Sequence, residues 1–452
     1  MNRINVIRRC GRRMLLSMLF ATLLTSNAIS QSQPETPLPL QKADVAEIID
    51  SVLTAIETHY VYPDTARALS KHIREKHAKG AYDDITDLRT IAGKLSDDVR
   101  AFTHDRHMHI SVMTPGDSPA IGDTLTDDEI ARRAGTNFGF RKAEWLIGNV
   151  GYLRIDRFDD AVFAGEAASA AMNFLARCSA VIIDLRYNGG GHETMVRFLA
   201  SYFFQRPTQI NALYFTETDS LEQSWTSAHV PGRKLVDTDL YILISNLTAS
   251  GAEAFSYGLK HAGRAVLVGE TTAGAAHWTE YWNFPNLQIR AAVPIARPIN
   301  PVTKTSWERT GVTPHIEASI GKALPLAHLE ALRRIMARTT DEQERKELTW
   351  NMAAVRAQAE PVNVAQEQMP AYTGEFADGQ YVILIKDDAL YWRYVDGTEF
   401  ILVPLTTDLF GFDDTDDYRV EIIRDGKGVV TGFRLLIRGG EAGPIRPRTG
   451  DL

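Results

Sequence analysis

A serine stands where an apolar run gives way to a helix-like stretch. YILIS (241–245) is followed by TASGAEAF (248–255), and Ser250 sits at the junction. A hydroxyl there gains from the free N–H groups of a helix N-terminus, which favour developing negative charge. The small neighbours Ala249, Gly251 and Ala252 leave room for a substrate backbone, and the Gly251 N–H is placed to donate to an oxyanion. Taken alone, the patch fits a plain helix cap better, with Glu253 three residues on as a capping-box partner.

Three further patches carry chemistry. In DLRYNGGGHE (184–193) a buried strand pattern runs into three glycines and then a helix. Such glycines let a ligand approach the backbone and free its N–H groups, either to cradle a phosphate or to supply an oxyanion donor. HDRHMHIS (104–111) holds His104, His107 and His109. On a strand His107 and His109 share a face, but no carboxylate or cysteine completes a metal set, so no metal is expected and a general base is the better reading. In TSWERTGVTP (305–314), Trp307 stands beside Glu308 and is placed to shelter a carboxylate that orients a histidine. No phosphate-binding loop, dinucleotide fingerprint, HExxH or paired CxxC is found, so no cofactor is expected.

The elements that must position these patches divide the 452-residue chain. Its opening carries five arginines (Arg3, Arg8, Arg9, Arg12, Arg13) and no acid, followed by the apolar MLLSMLFATLLTSNA (14–28), the pattern of a signal peptide over 1–30. The expected location is therefore the periplasm or the exterior, with an uncleaved anchor as the alternative. Beyond that opening 44 basic residues face 57 acidic ones, a net charge of −13, which argues against nucleic acid and anionic membrane surfaces as partners. The two cysteines are Cys10 and Cys178, so a chain cleaved after the signal forms no internal disulfide.

Residues 31–115 read as a small helical domain. In ADVAEIIDSVLTAIETHY (43–60) the apolar positions follow one helix face, a helix restarts at Pro63, and DLRTIAGKLSDDVRAF (87–102) forms a third. From 116 to 345 short apolar runs at 149–155, 180–186, 212–215, 240–245, 265–269 and 289–295 alternate with helices at 164–177, 192–204 and 251–262. That is an α/β layer fold with buried strands. A helix over 323–358 leads to a polar linker, 346–370. The segment 371–452 reads as strands joined by DG, DD and GKG turns, a small all-β barrel.

In their order, GNVGYLRIDRF, VIIDLRYNGGG, LTASGAEAFSYGLKHAGRAVLVGETTAGAAH and WERTGVTP resemble the C-terminal-processing (tail-specific) serine peptidase family. The resemblance spans about residues 42–320 and is greatest to the branch containing the tricorn core and the interphotoreceptor retinoid-binding repeats. It implies a ClpP/crotonase-like ββα spiral core. It also implies Ser250 as nucleophile, His107 of the D-x-H pattern with Asp105 as general base, and Glu308 as the acid that orients it. Gly189, Gly190 and Gly251 would form the oxyanion hole. Asn188 and His277 would contact substrate, His277 being also a rival base. The other branch uses a lysine 25 positions after the serine; here that position is Ala275, so the histidine mechanism is the one that fits. Residues 113–145 are too few for a PDZ domain, and Pro314-His315 stands where the family often has Pro-Asp. The tail resembles the small barrel of β-lactamase-like hydrolases.

The reading is a serine peptidase acting on a peptide or protein. Two alternatives remain open. The retinoid-binding repeats share the fold without being proteases, so a binding protein for apolar ligands or peptides is one. An acyl-CoA enzyme of crotonase type is the other, and the signal peptide argues against it.

Overall fold

The structure, a computed structural model, describes residues 40–114, 125–440 and 442–452. The expected signal peptide, nearly all of the segment 31–40 and the boundary near 115 lie outside the described residues. Among the described residues no helix is long and apolar enough to cross a membrane.

Three helices open the fold: α1 (Lys42–His59), α2 (Pro63–Ala78) and α3 (Leu88–Thr103). The apolar face anticipated for α1 is the buried one, Val45, Ile48, Ile49, Val52, Leu53 and Ile56. Pro63 occupies the first turn of α2, where its missing N–H costs nothing. Asp87 caps α3, accepting the Thr90 N–H at 2.9 Å. The chain then forms β1 (His109–Val112), α4 (Asp127–Ala134), β2 (Phe140–Leu146), β3 (Val150–Ile155), α5 (Ala161–Phe174), β4 (Ala180–Asp184) and α6 (Glu193–Ala200). It continues through β5 (Gln209–Phe215), β6 (Ser220–Trp225), β7 (Asp239–Ile244), α7 (Gly251–His261), β8 (Val266–Gly269), β9 (Trp278–Phe284), β10 (Ile289–Pro298) and β11 (Ile316–Glu317).

The alternating runs build two sheets. One has the order β11-β8-β7-β4-β3-β2, parallel except for the β2–β3 pair. Its strands are apolar on both faces because both are covered. Val181, Ile183, Ile242 and Ile244 point into one core with Phe255 and Leu259 of α7, while Ile182, Tyr241 and Leu243 point into another. The second sheet is antiparallel, β1-β10-β5-β6 with β9 also on β10, and its β10 residues Ile289, Ala291 and Val293 pack against the three opening helices. This sheet therefore ties the helical region to the core.

The expected single helix over 323–358 is two, α8 (Ala323–Arg338) and α9 (Glu342–Ala359). The break follows from the sequence TTD: Thr339 leaves the helix in extended conformation and Asp341 caps the next, accepting the Glu344 N–H at 2.8 Å. Past it, eight strands between Gly374 and Gly450 close into an antiparallel barrel around Trp392, Phe376, Phe410 and Phe433.

Arg419 joins the barrel to α9. It is buried, its guanidinium lies 3.8 Å from the Trp350 ring centre, and Nη2 donates to the Trp350 carbonyl at 2.8 Å. Arg419→Ala removes a stacked cation and a charged hydrogen bond, so a loss of about 2–3 kcal/mol is expected. An unchanged urea midpoint would deny this seam any energetic role.

Candidate active site

The site forms beyond the carboxyl ends of β4 and β7. After Ile244 the chain is bound tightly: the Thr248 hydroxyl donates to Leu185 O at 2.8 Å, and the Ala249 N–H to Asn188 O at 3.1 Å. Ser250 follows at φ 52°, ψ −120°. A plain N-cap has extended backbone, whereas this is a left-handed conformation that a side-chain-bearing residue enters only at a cost. The Ser250 hydroxyl faces the Glu253 N–H as in a capping box but makes no regular cap hydrogen bond. Its N–H, by contrast, is held twice, by Ala275 O at 3.2 Å and by Glu253 Oε2 at 2.9 Å.

Glu253 is fully buried and is the anchor of this turn. Besides Ser250 it accepts the Gly274 N–H at 2.7 Å, the Ala275 N–H at 2.9 Å and the Thr272 hydroxyl. Burial pushes its carboxyl up, and these donors pull the other way. The capping-box reading captured one of its four bonds. Ala275, where the other branch carries lysine, contributes backbone only: its carbonyl also accepts the buried Trp307 Nε1–H at 3.2 Å. Trp307 therefore braces the 275 segment, packing 5.2 Å from Tyr257, where a shelter for Glu308 was expected.

The glycine turn lies directly against Ser250. A Cβ on Gly190 would stand 2.7 Å from both Ala249 O and Ser250 Cβ, and Gly190 has φ 104°, so only glycine fits. Its N–H is already spent, donating to Asn188 Oδ1 at 2.8 Å. Gly189 by contrast is exposed and faces open space, and neither its N–H nor that of Gly251 meets an acceptor among the described residues. Asn188, expected to touch substrate, is buried with its amide committed, Nδ2 donating to Ile155 O at 3.1 Å. That corrects its role: it locks the ends of β3, β4 and the Ser250 turn together.

The histidines separate. His104 is the left-handed C-cap of α3 at φ 56° and exposed. His109 lies on β1 with its ring edge-on to Tyr281, 5.9 Å between centres. His107 precedes β1 in a loop, contrary to the strand placement. Asp105 Oδ1 accepts its backbone N–H at 3.0 Å, and its Nδ1 is buried without a partner. Burial holds its imidazole down at about 4, against the attraction of Asp105.

His277 is drawn in from the other side. It is buried, and its Nδ1 donates to Asp105 Oδ2 at 2.6 Å, with Glu308 Oε2 at 3.7 Å. Glu308 Oε2 accepts the Ala276 N–H at 2.8 Å, while Oε1 is buried without a partner. Burial raises the Glu308 carboxyl; Asp105 instead is held below the usual carboxylate range, because its bonds with His277 and the His107 N–H outweigh its burial.

Two groups had no signal in the sequence. Tyr60 and Tyr62, from the link between α1 and α2, donate to Asp105 Oδ2 at 3.2 Å and meet His277 Nε2 at 3.4 Å. His315, in place of the family's acid, accepts the Leu267 N–H at 2.9 Å through Nδ1 and so pins this loop to β8.

Residues 149–318 match the family model of peptidase family S41, and residues 38–135 match the model of the N-terminal domain of peptidase S41 in eukaryotic IRBP. The core of the chain is thus similar to peptidase family S41, and the region before it to a domain that precedes that core. A carboxyl-terminal-processing protease of Picosynechococcus sp. is 30% identical over 127 residues, which is 28% of this chain and 29% of that protein. The chain thus aligns with under a third of that relative's length. Among solved structures, a lipoprotein from Streptococcus agalactiae aligns with TM-score 0.46 at 16% identity, covering 66% of this chain and 98% of that one. A photosystem II D1 C-terminal processing protease aligns at 0.39 and 14%, covering 62% and 94%.

Proposed function

We propose that the chain is a serine peptidase that cleaves peptide bonds through an acyl-enzyme on Ser250. The observation that carries this is the Ser250 backbone. A left-handed serine whose hydroxyl makes no regular cap hydrogen bond, held by Glu253 at a helix N-terminus and pressed against a glycine turn, is strain with little structural return. Such turns present a nucleophile.

His107 is the general base. It is neutral at neutral pH, and its backbone is fixed by Asp105. Glu308 is assigned to orient it from the family resemblance; both groups keep a buried polar atom free of protein partners, Glu308 Oε1 and His107 Nδ1. Ser250 Oγ attacks the peptide carbonyl as its proton passes to His107 Nε2. The Gly189 and Gly251 N–H groups receive the oxyanion. His107 then protonates the departing amine, and water, deprotonated by the same ring, releases the acyl group. The charged groups that gather beside the Ala275–His277 segment, Asp105, His277 and Glu308, suit a polar peptide backbone better than an apolar ligand. The arginine-rich, apolar opening supports export as the route to substrate.

A fluorophosphonate probe tests the assignment. Wild type is expected to label and Ser250→Ala not to; equal labelling of both would remove the nucleophile. A second reading makes His277 the base, favoured by its 2.6 Å bond to Asp105. Labelling that survives His107→Ala but not His277→Ala would establish that reading instead.

A further inference from the structure

Asp105, His277 and Glu308 come from three distant parts of the chain, yet one ligand atom from each lies within 4.8 Å of the others. We infer that these three residues form a site for a zinc-class divalent cation, whose occupancy silences the hydrolytic centre. The inhibitory consequence rests on the peptidase reading; the binding does not.

The donor set fits the ion. One imidazole nitrogen and two carboxylate oxygens are a common zinc donor set, at about 2.0–2.2 Å per ligand. Magnesium and calcium prefer more oxygens and no imidazole. Two carboxylates with a neutral imidazole offer a charge of −2 in a buried pocket, which a divalent cation cancels. Glu308 Oε1 is already buried without a partner, so it exchanges nothing to become a ligand.

The surrounding bonds match what metal ligands need. Glu308 Oε2 is held by the Ala276 N–H, and Asp105 by the Tyr60 hydroxyl and the His107 N–H. Once Nδ1 binds metal, the proton moves off it and Nε2–H requires an acceptor; the Tyr62 oxygen at 3.4 Å stands there. The entering ion must part only one short contact, the 2.6 Å bond between His277 Nδ1 and Asp105 Oδ2. With Glu308 bound to the ion, the carboxylate that orients His107 in the peptidase reading is withdrawn from it, and the base loses its partner. The histidine run 104–109 gives this site only Asp105 and none of its histidines, because His277 and Glu308 arrive from elsewhere in the fold.

Competition between the full chain and a chromophoric chelator for Zn²⁺ tests the site. One ion per chain is expected, with affinity reduced at least about 100-fold in His277→Ala and in Glu308→Gln, and unchanged in His109→Ala. Ser250→Ala is expected to bind as wild type does, so a failed labelling experiment would leave this result standing. X-ray absorption of the zinc-loaded wild type is expected to show one imidazole with oxygen ligands, which keeps the test valid if a variant misfolds. Two or more imidazoles, no stoichiometric binding, or full affinity in both ligand variants would overturn the site. If binding holds, Zn²⁺ is expected to block fluorophosphonate labelling of wild type and a chelator to restore it; labelling unaffected by bound zinc would overturn the silencing.

Discussion

The Ser250→Gly protein is expected to be more stable than wild type and inactive. Ser250 sits at φ 52°, where a Cβ is strained by about 1–3 kcal/mol and glycine is not. Against this stands the greater freedom of glycine in the unfolded chain, about 0.5–1 kcal/mol. Little else is forfeited, because the hydroxyl's capping-box contact with the Glu253 N–H is not a regular hydrogen bond and the Ser250 N–H remains for Glu253 and Ala275. The net expectation is a gain of about 1 kcal/mol, with hydrolysis reduced at least about 10⁴-fold. A serine kept merely as a helix cap behaves oppositely: its replacement by glycine lowers stability slightly and leaves activity intact. Urea melts and a peptidase assay on one pair of proteins therefore separate the two roles. A lower midpoint for Ser250→Gly would mean that the turn is not strained.

What the sequence disclosed and what it hid divide along physical lines. Period and burial are local, so the faces of α1, the apolar runs of β4 and β7 and the hairpins of the barrel could be read directly. The break between α8 and α9 was also written locally, in Thr339 and the capping Asp341, but a continuous apolar pattern on either side masked it. The strand β9 escaped because its residues, WTEYWNF, are half-exposed and do not alternate cleanly.

The site was legible where its geometry is local and illegible where it is not. Ser250 and the glycine turn lie at strand ends, and their tight packing follows from glycine's lack of a Cβ. Glu253 was visible only as a cap, since three of its four donors come from residues 272–275, which the chain brings back through β8. The bond between Asp105 and His277 joins residues 172 positions apart, and no spacing rule reaches that far. Tyr60 and Tyr62 looked like ordinary aromatic residues between two helices; only the sheet formed by β1 and β10 brings that link to the histidines.

His107 carries the second large expectation. Burial places its imidazole at about 4, below the ordinary histidine range, with Asp105 opposing the shift. A base works in its neutral form, so kcat/KM, which reports the free enzyme, is expected to stay level from pH 7 down to about pH 5. It should fall tenfold per pH unit only below about 4. The sign follows from the direction of the shift: the depressed value keeps the ring unprotonated through mild acid, and activity disappears as protons finally bind. An unperturbed histidine would instead give an acid limb near 6.5. His107→Ala is expected to lower kcat by about 10³–10⁴-fold and to abolish the acid limb in whatever activity remains. His277→Ala should move that limb only slightly upward, since His277 helps hold the His107 ring down, while slowing turnover less. An acid limb that vanishes in His277→Ala and persists in His107→Ala would transfer the base to His277. In that case Asp105 and His277 would form the working pair, and the 2.6 Å bond between them would hold the catalytic imidazole in its tautomer.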